Sequence, residues 1–417
     1  MKVSIVLDVA YGDAGKGRVV DSLTDVLDKT LVVRFSGGHQ AGHNVRHGDI
    51  SHIFSNFGSG TLKGADTLWD EYCTFYPISF INEYNILKDK CDTASVKIFI
   101  HENSKICTPY DVLLNQKSEL TNQHGSCGQG VGHTLYRHET EDHSYHIYAR
   151  DLKYPWILKQ KLLNIRQKFY TEAGVDYSNI DSLENEYWAA CTAIYDMGNV
   201  ILTNSFYRDK ILFDEVYDHV IFEGSQGILL DRDFGVAFPN VTRSYTTYKN
   251  IIPYLNTYDI MFGSTIDINV YYVSRCYQTR HGNGPLCGED SIDMEKYFNF
   301  STETNQENQW QGKFRYAPIS FDMIEYAIEC NRSLDTYLNN IIISNIVYTC
   351  IDQYKNIQVP DTNCLEIPMV MPLNNISSIY TQFEILLNCN TPCYIRPDNI
   401  WFSNSNDSKF ELYKYLK

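Results

Sequence analysis

The chain begins with an apolar run, VSIVLDV at residues 3–9, that passes directly into YGDAGKGRVVD at residues 11–21. A second apolar run, LVVRF, follows and ends in SGGHQAGH. Val3–Val9 is short, β-branched and bounded by turn residues, which reads as a strand. Val19, Val20, Leu23 and Leu27 fall at helical spacing and predict a helix over Gly17–Leu27. Leu31–Val33 is then a second strand. Strand, glycine loop, helix and strand in immediate succession form the unit from which parallel sheets are built.

Later apolar runs at His219–Phe222, Asn269–Val273 and Asn340–Ile343 read as further strands, and Leu183–Met197 and Ile319–Cys330 as helices. Strands that are continuous apolar runs between helices predict an α/β fold, a mostly parallel central sheet with helices on both faces. No proline- or serine-rich linker divides the chain, so residues 1–417 are expected to form one large domain with helical and loop insertions. Asn299–Gln311 (NFSTETNQENQWQ) is polar and turn-rich and reads as a surface loop with a function.

Charge and cysteine content narrow the class of partner. The net charge of −16 without a long basic block argues against nucleic acid and leaves small anionic substrates for local basic pockets. No apolar run approaches the roughly 20 residues of a membrane span. The twelve cysteines are scattered, with only Cys389 and Cys393 close together, so no metal knuckle is expected. Without a secretory signal they read as reduced thiols of a cytoplasmic protein.

Four glycine-rich turns carry the chemistry. In the first, Gly12, Gly15 and Gly17 let the backbone approach an oxyanion at a helix N-terminus, and Lys16 adds a mobile positive charge. Asp13 is out of place in a simple phosphate cradle, because phosphates repel a carboxylate. A bridging Mg²⁺ would resolve the conflict, as would a role for Asp13 in accepting a proton from a neutral base. The second turn, Gly37-Gly38-His39-Gln40-Ala41-Gly42-His43, follows the next strand and brings His43 to the same sheet edge as Asp13. The third is Gly125–Gly132 (GSCGQGVG), and the fourth is Phe222–Gly227 (FEGSQG).

These turns resemble the signatures of the adenylosuccinate synthetase family. YGDAGKGRVVD is similar to WGDEGKGKxVD, RFSGGHQAGHNV to RxxGGxNAGHTV, GSCGQGVG to GTTGRGIG, FEGSQGILLD to FEGAQGTLLD and TRHGNGPL to STRVGAGPFP, in order, from residue 3 to about 330. The resemblance implies a ligase that joins IMP and L-aspartate, driven by GTP and Mg²⁺, in AMP synthesis. The purine 6-oxygen is first phosphorylated, and the aspartate amine then displaces that phosphate.

By matching position, Asp13 takes the purine N1 proton and helps hold Mg²⁺, with the Gly42 carbonyl reaching the metal. His43 stabilises charge at the 6-oxygen. Gly12, Ala14, Gly15, Lys16, Gly17 and Arg18 hold nucleotide phosphates. Gln40, Ala41, Gln226, Cys127 and Thr242 contact the IMP. The aspartate loop TTGRRRR appears as WQGKFRY, so Gln311, Gly312, Lys313 and Arg315 are expected to receive L-aspartate, with Lys313 also near IMP and Arg315 near the donor nucleotide.

Departures accompany the matches. Gln40 replaces an asparagine and Cys127 a threonine. The guanine-reading segment TKLD is matched to Ser344-Asn345-Ile346-Val347, which puts Asn345 and Val347 at the donor base and leaves guanine without its acceptor, admitting ATP. The arginine that the family lends across its homodimer is matched by Arg137. Cys393–Asp398 (CYIRPD) is read as the last base-contacting turn. An alternative keeps the fold but uses dGMP and an adenine nucleotide, as some viral relatives do; Asp13 speaks against it, since such relatives often carry a smaller residue there. A third reading is a nucleotide-binding protein without catalysis.

Overall fold

The structure is a computed structural model that describes residues 1–47, 49–122, 125–173, 179–213, 216–262, 266–301, 303–305, 307, 310–338, 340–350, 353, 399–402 and 413–414. Cys393–Asp398 lies outside the described residues. Its organising element is a ten-stranded sheet. Numbered in chain order, the strands are β1 Lys2–Asp8, β2 Thr30–Arg34, β3 Asp66–Trp69, β4 Ile98–His101, β5 Val200–Thr203, β6 His219–Glu223, β7 Asp267–Arg275, β8 Ile341–Thr349, β9 Asn399–Phe402 and β10 Tyr413–Lys414. Their spatial order is β10-β9-β8-β7-β1-β6-β2-β3-β4-β5. All neighbours pair in parallel except β9 and β10, which are antiparallel.

Burial on both faces explains the unbroken apolar runs. Val3, Ile5 and Leu7 of β1 enter one core with the helices Ile252–Phe262 and Phe321–Arg332. Val6 points the other way, into a cluster with Val19 and Val20 of helix α1, Lys16–Leu23. A separate core packs β3 and β4 against the helices Pro77–Leu87, Pro109–Asn122, Pro155–Ala173 and Ile180–Asp196.

α1 is shorter than its apolar spacing predicts. Thr24 leaves the helix in an extended conformation, and Asp25 starts a turn by accepting the Leu27 N–H at 2.9 Å. Leu27 is consequently 88% exposed rather than packed. Local side-chain bonding to the backbone overrides the apolar period here.

The strand at Asn340–Ile343 also extends further than expected, and this displaces a predicted site. β8 runs in register with β7 from Ile341 opposite Asp267 to Thr349 opposite Arg275. Asn345 and Val347 therefore lie inside the sheet, not at the donor base. Asn345 is spent on the Val270 and Ile343 carbonyls and on Trp401, and Val347 is fully buried. Val347→Asp should lower folding stability by on the order of 4 kcal/mol, because the carboxylate would have no partner there; urea unfolding measures it. An unchanged midpoint would mean that position 347 faces a solvent-filled site after all.

Candidate active site

The sheet order brings five strand ends together at one carboxyl edge, since β8, β7, β1, β6 and β2 are consecutive neighbours. A cleft of about 2040 Å³ opens along that edge. Gly12, Asp13, Gly15, Lys16, Gly17 and Arg18 line it, as do Gln40, Ala41, Gly42, His43, Cys127, Gln226, Thr242 and Gln311. Ala14, Arg137, Gly312, Lys313, Arg315, Asn345 and Val347 do not.

The phosphate-type loop is built around Asp8, the last residue of β1. Its buried carboxylate accepts the N–H groups of Ala10 (2.8 Å), Gly12 (3.3 Å) and Ala14 (2.9 Å), and Lys16 Nζ at 3.3 Å. Lys16 also donates to the Gln226 carbonyl at 2.7 Å. Lys16 is thus a fixed charge, 3% exposed, with one of its three protons left for a ligand. Gly12 and Ala14 face Asp8 with their N–H groups, so anion binding falls to the first turn of α1, whose N–H groups lack intrahelical partners. Gly15 (φ 93°) makes the tight turn into that helix against the side chain of Thr349.

Three non-glycine residues at the cleft, Asp13 (φ 59°), Gln226 (φ 55°) and Cys350 (φ 60°), occupy the left-handed region. Such positions cost about 1–3 kcal/mol each and are held only by over-determined surroundings. Here the Asp13 carbonyl accepts Arg275 Nε at 2.7 Å, and the Gln226 carbonyl accepts Lys16. The Asp13 side chain is left facing the cleft, 31% exposed, with His281 Nε2 at 3.4 Å.

His43 arrives from the other side of β1. It opens the hairpin strand His43–His47 and meets Glu223 at the end of β6, with Nδ1 2.5 Å from Oε1. Glu223 also accepts the Ser59 N–H at 3.1 Å and the Ser59 hydroxyl. Burial pushes the Glu223 carboxyl up, but the His43 ring, Arg34 and the Ser59 hydroxyl outweigh it and hold it at about 2. With several donors converging on it, Glu223 is the charged member of the pair and fixes a proton on His43 Nδ1. His43 Nε2 is buried without a protein partner, as are Gln40 Oε1 and Gln226 Oε1. Gly17 permits this arrangement: a Cβ there would lie 2.6 Å from His43 Cβ and 2.8 Å from Ser59 Oγ.

The Gly125–Gly132 turn forms a third wall, capped by Gly130 (φ 80°) at the start of the helix Val131–His138. Cys127 lines the cleft as a thiol, its pKa pushed up to about 11 by burial. His39 is held down at about 4 by burial, and its Nε2–H donates to the Gln129 carbonyl (2.9 Å).

Two expectations fail in this region. Arg137 turns inward: Nε and Nη2 grip Asp111 at 3.0 and 2.8 Å, and Nη1 and Nη2 also donate to the Tyr145 and Ile106 carbonyls, so four of its five N–H donors are taken. Its side chain does not line the cleft. Arg315 is likewise bound, to Glu289 at 2.5 Å and to the Gly282 and Gly284 carbonyls at 2.8 Å, while Lys313 is exposed outside the cleft. The charged groups at that end are instead Arg275, Arg280 and Glu303. Glu303 belongs to the polar Asn299–Gln311 stretch but turns into the cleft to pair with Arg275.

Asp8, Glu223 and His281 were not among the residues expected from sequence. The β8 register also moves the strand's cleft end past Ser344-Asn345-Ile346-Val347: Thr349, Cys350 and Gln353 line the cleft.

The family model described as adenylosuccinate synthetase matches residues 5–330. The chain belongs to the adenylosuccinate synthetase family. Its members are ligases that form a carbon–nitrogen bond. The adenylosuccinate synthetase of Azobacteroides pseudotrichonymphae is 29% identical over 307 residues, covering 73% of this chain and 70% of that one. That of Thermoplasma volcanium is 26% identical over 407 residues, covering 92% and 85%. Among solved structures, the fully ligated adenylosuccinate synthetase of Plasmodium falciparum superposes with a TM-score of 0.65 at 20% identity, over 84% of this chain and 77% of that one. The succinoaminodeoxyadenylate synthetase of cyanophage S-2L, bound to dGMP and to dATP as energy donor, gives 0.55 at 14% identity, over 96% and 92%. Both share the adenylosuccinate synthetase fold. No helix among the described residues is long and apolar enough to cross a membrane.

Glu223→Gln preserves shape and removes the charge behind His43. Turnover should fall about 100-fold or more with little change in KM. A lowered carboxyl pKa stabilises the fold above the ordinary glutamate range and loses that effect as pH falls toward 2. The stability gap between parent and variant should therefore shrink from pH 5 to pH 2. A constant gap would mean that Glu223 is not ionised.

Proposed function

We propose that this family member joins IMP to L-aspartate with GTP as donor. The observation that carries the reading is the unpartnered, buried Nε2 of His43, which shares the cleft with the exposed carboxylate of Asp13. Asp13 accepts the N1 proton as O6 attacks the γ-phosphorus of GTP; the O6–P bond forms and the bond to the GDP oxygen breaks. His43 Nε2 faces the O6 side and Gln226 the base. The aspartate amine then attacks C6, phosphate leaves, and the amine gives up its surplus proton. Lys16 and the first turn of α1 receive donor phosphates.

The metal-binding set fits Mg²⁺ in kind. Asp13 offers a carboxylate and Gly42 an exposed carbonyl, hard oxygen donors of the sort that hold Mg²⁺ together with waters and substrate phosphates. Among the described residues no group of three or more His, Cys, Asp or Glu side chains could hold an ion by itself. When bound, Mg²⁺ would neutralise phosphate charge beside Asp13.

The reading of Val347 as a donor-base contact, which favoured an adenine nucleotide, loses its footing because Val347 is buried inside the sheet and away from the cleft. Compartment and subunit number follow the family in this reading, a cytoplasmic homodimer.

Purified protein with L-aspartate and Mg²⁺, offered IMP or dGMP with GTP or ATP, should give product absorbance with IMP and GTP. Product from dGMP alone would select the viral-type reaction, and none from any pair would select a binding protein. Asp13→Asn should abolish turnover in a folded protein.

A further inference from the structure

The polar stretch Asn299–Gln311 reads from sequence as a loop with a function, yet no step of the proposed reaction draws on its middle. Glu303, Thr304 and Asn305 line the cleft there. Glu303 is fixed as an anion. Its Oε1 accepts the Asn305 backbone N–H and Asn305 Nδ2, each at 2.9 Å, and its Oε2 accepts Arg275 Nη1. Both side chains of this ion pair are only 7% exposed. Burial pushes the Glu303 carboxyl up, but the Arg275 guanidinium and the Asn305 donors outweigh it and hold it below the usual carboxylate range.

Arg275, the last residue of β7, stands between Glu303 and Asp13. Nε donates to the Asp13 carbonyl at 2.7 Å, while Nη1 serves Glu303 and the Tyr277 hydroxyl, the latter at 2.8 Å. That carbonyl belongs to a residue with φ of 59°, a strained backbone that needs an outside hold. The guanidinium is rigid and planar, so its position at Asp13 is set by what grips its other end.

Neighbouring residues reach the rest of the base's surroundings. Thr304 Oγ1 accepts Asn44 Nδ2 at 3.2 Å, next in sequence to His43. Phe314, just beyond the stretch, lies 5.5 Å from the Arg275 guanidinium and 4.5 Å from the His281 ring. His281 Nε2 in turn is 3.4 Å from Asp13 Oδ2. Asp13 is thus held at its backbone and met at its carboxylate by two groups that rest on Glu303 or Phe314.

We propose that Arg275 and Glu303 are positioning residues for Asp13: Arg275 holds the backbone of the carboxylate in its left-handed turn, and Glu303 acts through Arg275. This rests on the reading of Asp13 as proton acceptor. The segment that carries Gln311 into the cleft thereby also sets the aim of the base that begins phosphoryl transfer.

Glu303→Gln should lower kcat about 10-fold and leave the KM values for IMP and GTP within about threefold of the parent. Arg275→Met leaves Glu303 buried without its counter-charge, so it is compared with Arg275→Met/Glu303→Gln, which removes both charges. Both should lose about 100-fold in kcat and agree within about twofold, because Glu303 has nothing to act through once Arg275 is gone. If Arg275→Met does not fold, the double variant carries that loss. Arg275→Lys keeps the charge without the fork and should not restore kcat. Without substrates, hydrogen exchange of residues 11–18, read by mass spectrometry, should quicken about 10-fold or more in the double variant. An unchanged kcat in Glu303→Gln, full activity in Arg275→Lys or unaltered exchange overturns the proposal. So does a raised KM for GTP at constant kcat, which would make Arg275 a substrate contact. If the parent turns over no purine monophosphate but the exchange still responds, the hold on Asp13 stands and the catalytic reading falls.

Discussion

The active edge of this protein is organised by the Asp8 carboxylate, buried at the end of the central strand. A bare anion at that depth would be expensive, and it is tolerated because three backbone N–H groups and Lys16 converge on it. Those contacts fold the glycine loop back on itself and fix Lys16. Lys16 in turn grips the Gln226 carbonyl and so ties the loop after β1 to the loop after β6. The strained backbone of Gln226 is held by that Lys16 bond, and that of Asp13 by Arg275. Without Asp8, the two loops would lose their common anchor.

A second buried acid repeats this logic on the neighbouring strand. Glu223 holds His43 and Ser59 as Asp8 holds Lys16, and both acids are the final residues of parallel strands. Pointing a carboxylate into the sheet edge lets each strand end orient a basic group across its own loop. The fold thereby presents Lys16 and His43 as placed groups rather than as side chains free to search for a ligand.

Much of this was legible in the chain. The β–loop–α–β start, the parallel sheet and the gathering of Asp13, His43 and Gln226 on one cleft follow from apolar runs and glycine turns, while Thr242 was implied only by the family resemblance. The roles of Asp8 and Glu223 were hidden because each reads as the last polar residue of a strand, and only register reveals what it faces. Arg137 and Arg315 misled for the reverse reason: a matching position says nothing about whether Asp111 or Glu289 has already claimed the side chain. The misplacing of Val347 is a question of where β8 ends, and strand ends are set by pairing with β7, which no local pattern records.

Gly17 has a consequence beyond fit. Its bare backbone lets α1 lie directly against His43 and Ser59, with no side chain between the helix and the ring. Under the proposed reaction, the gap across which phosphorus must travel is set by that contact. A methyl group here would act as a shim, lengthening the transfer distance while leaving every reactive atom in place.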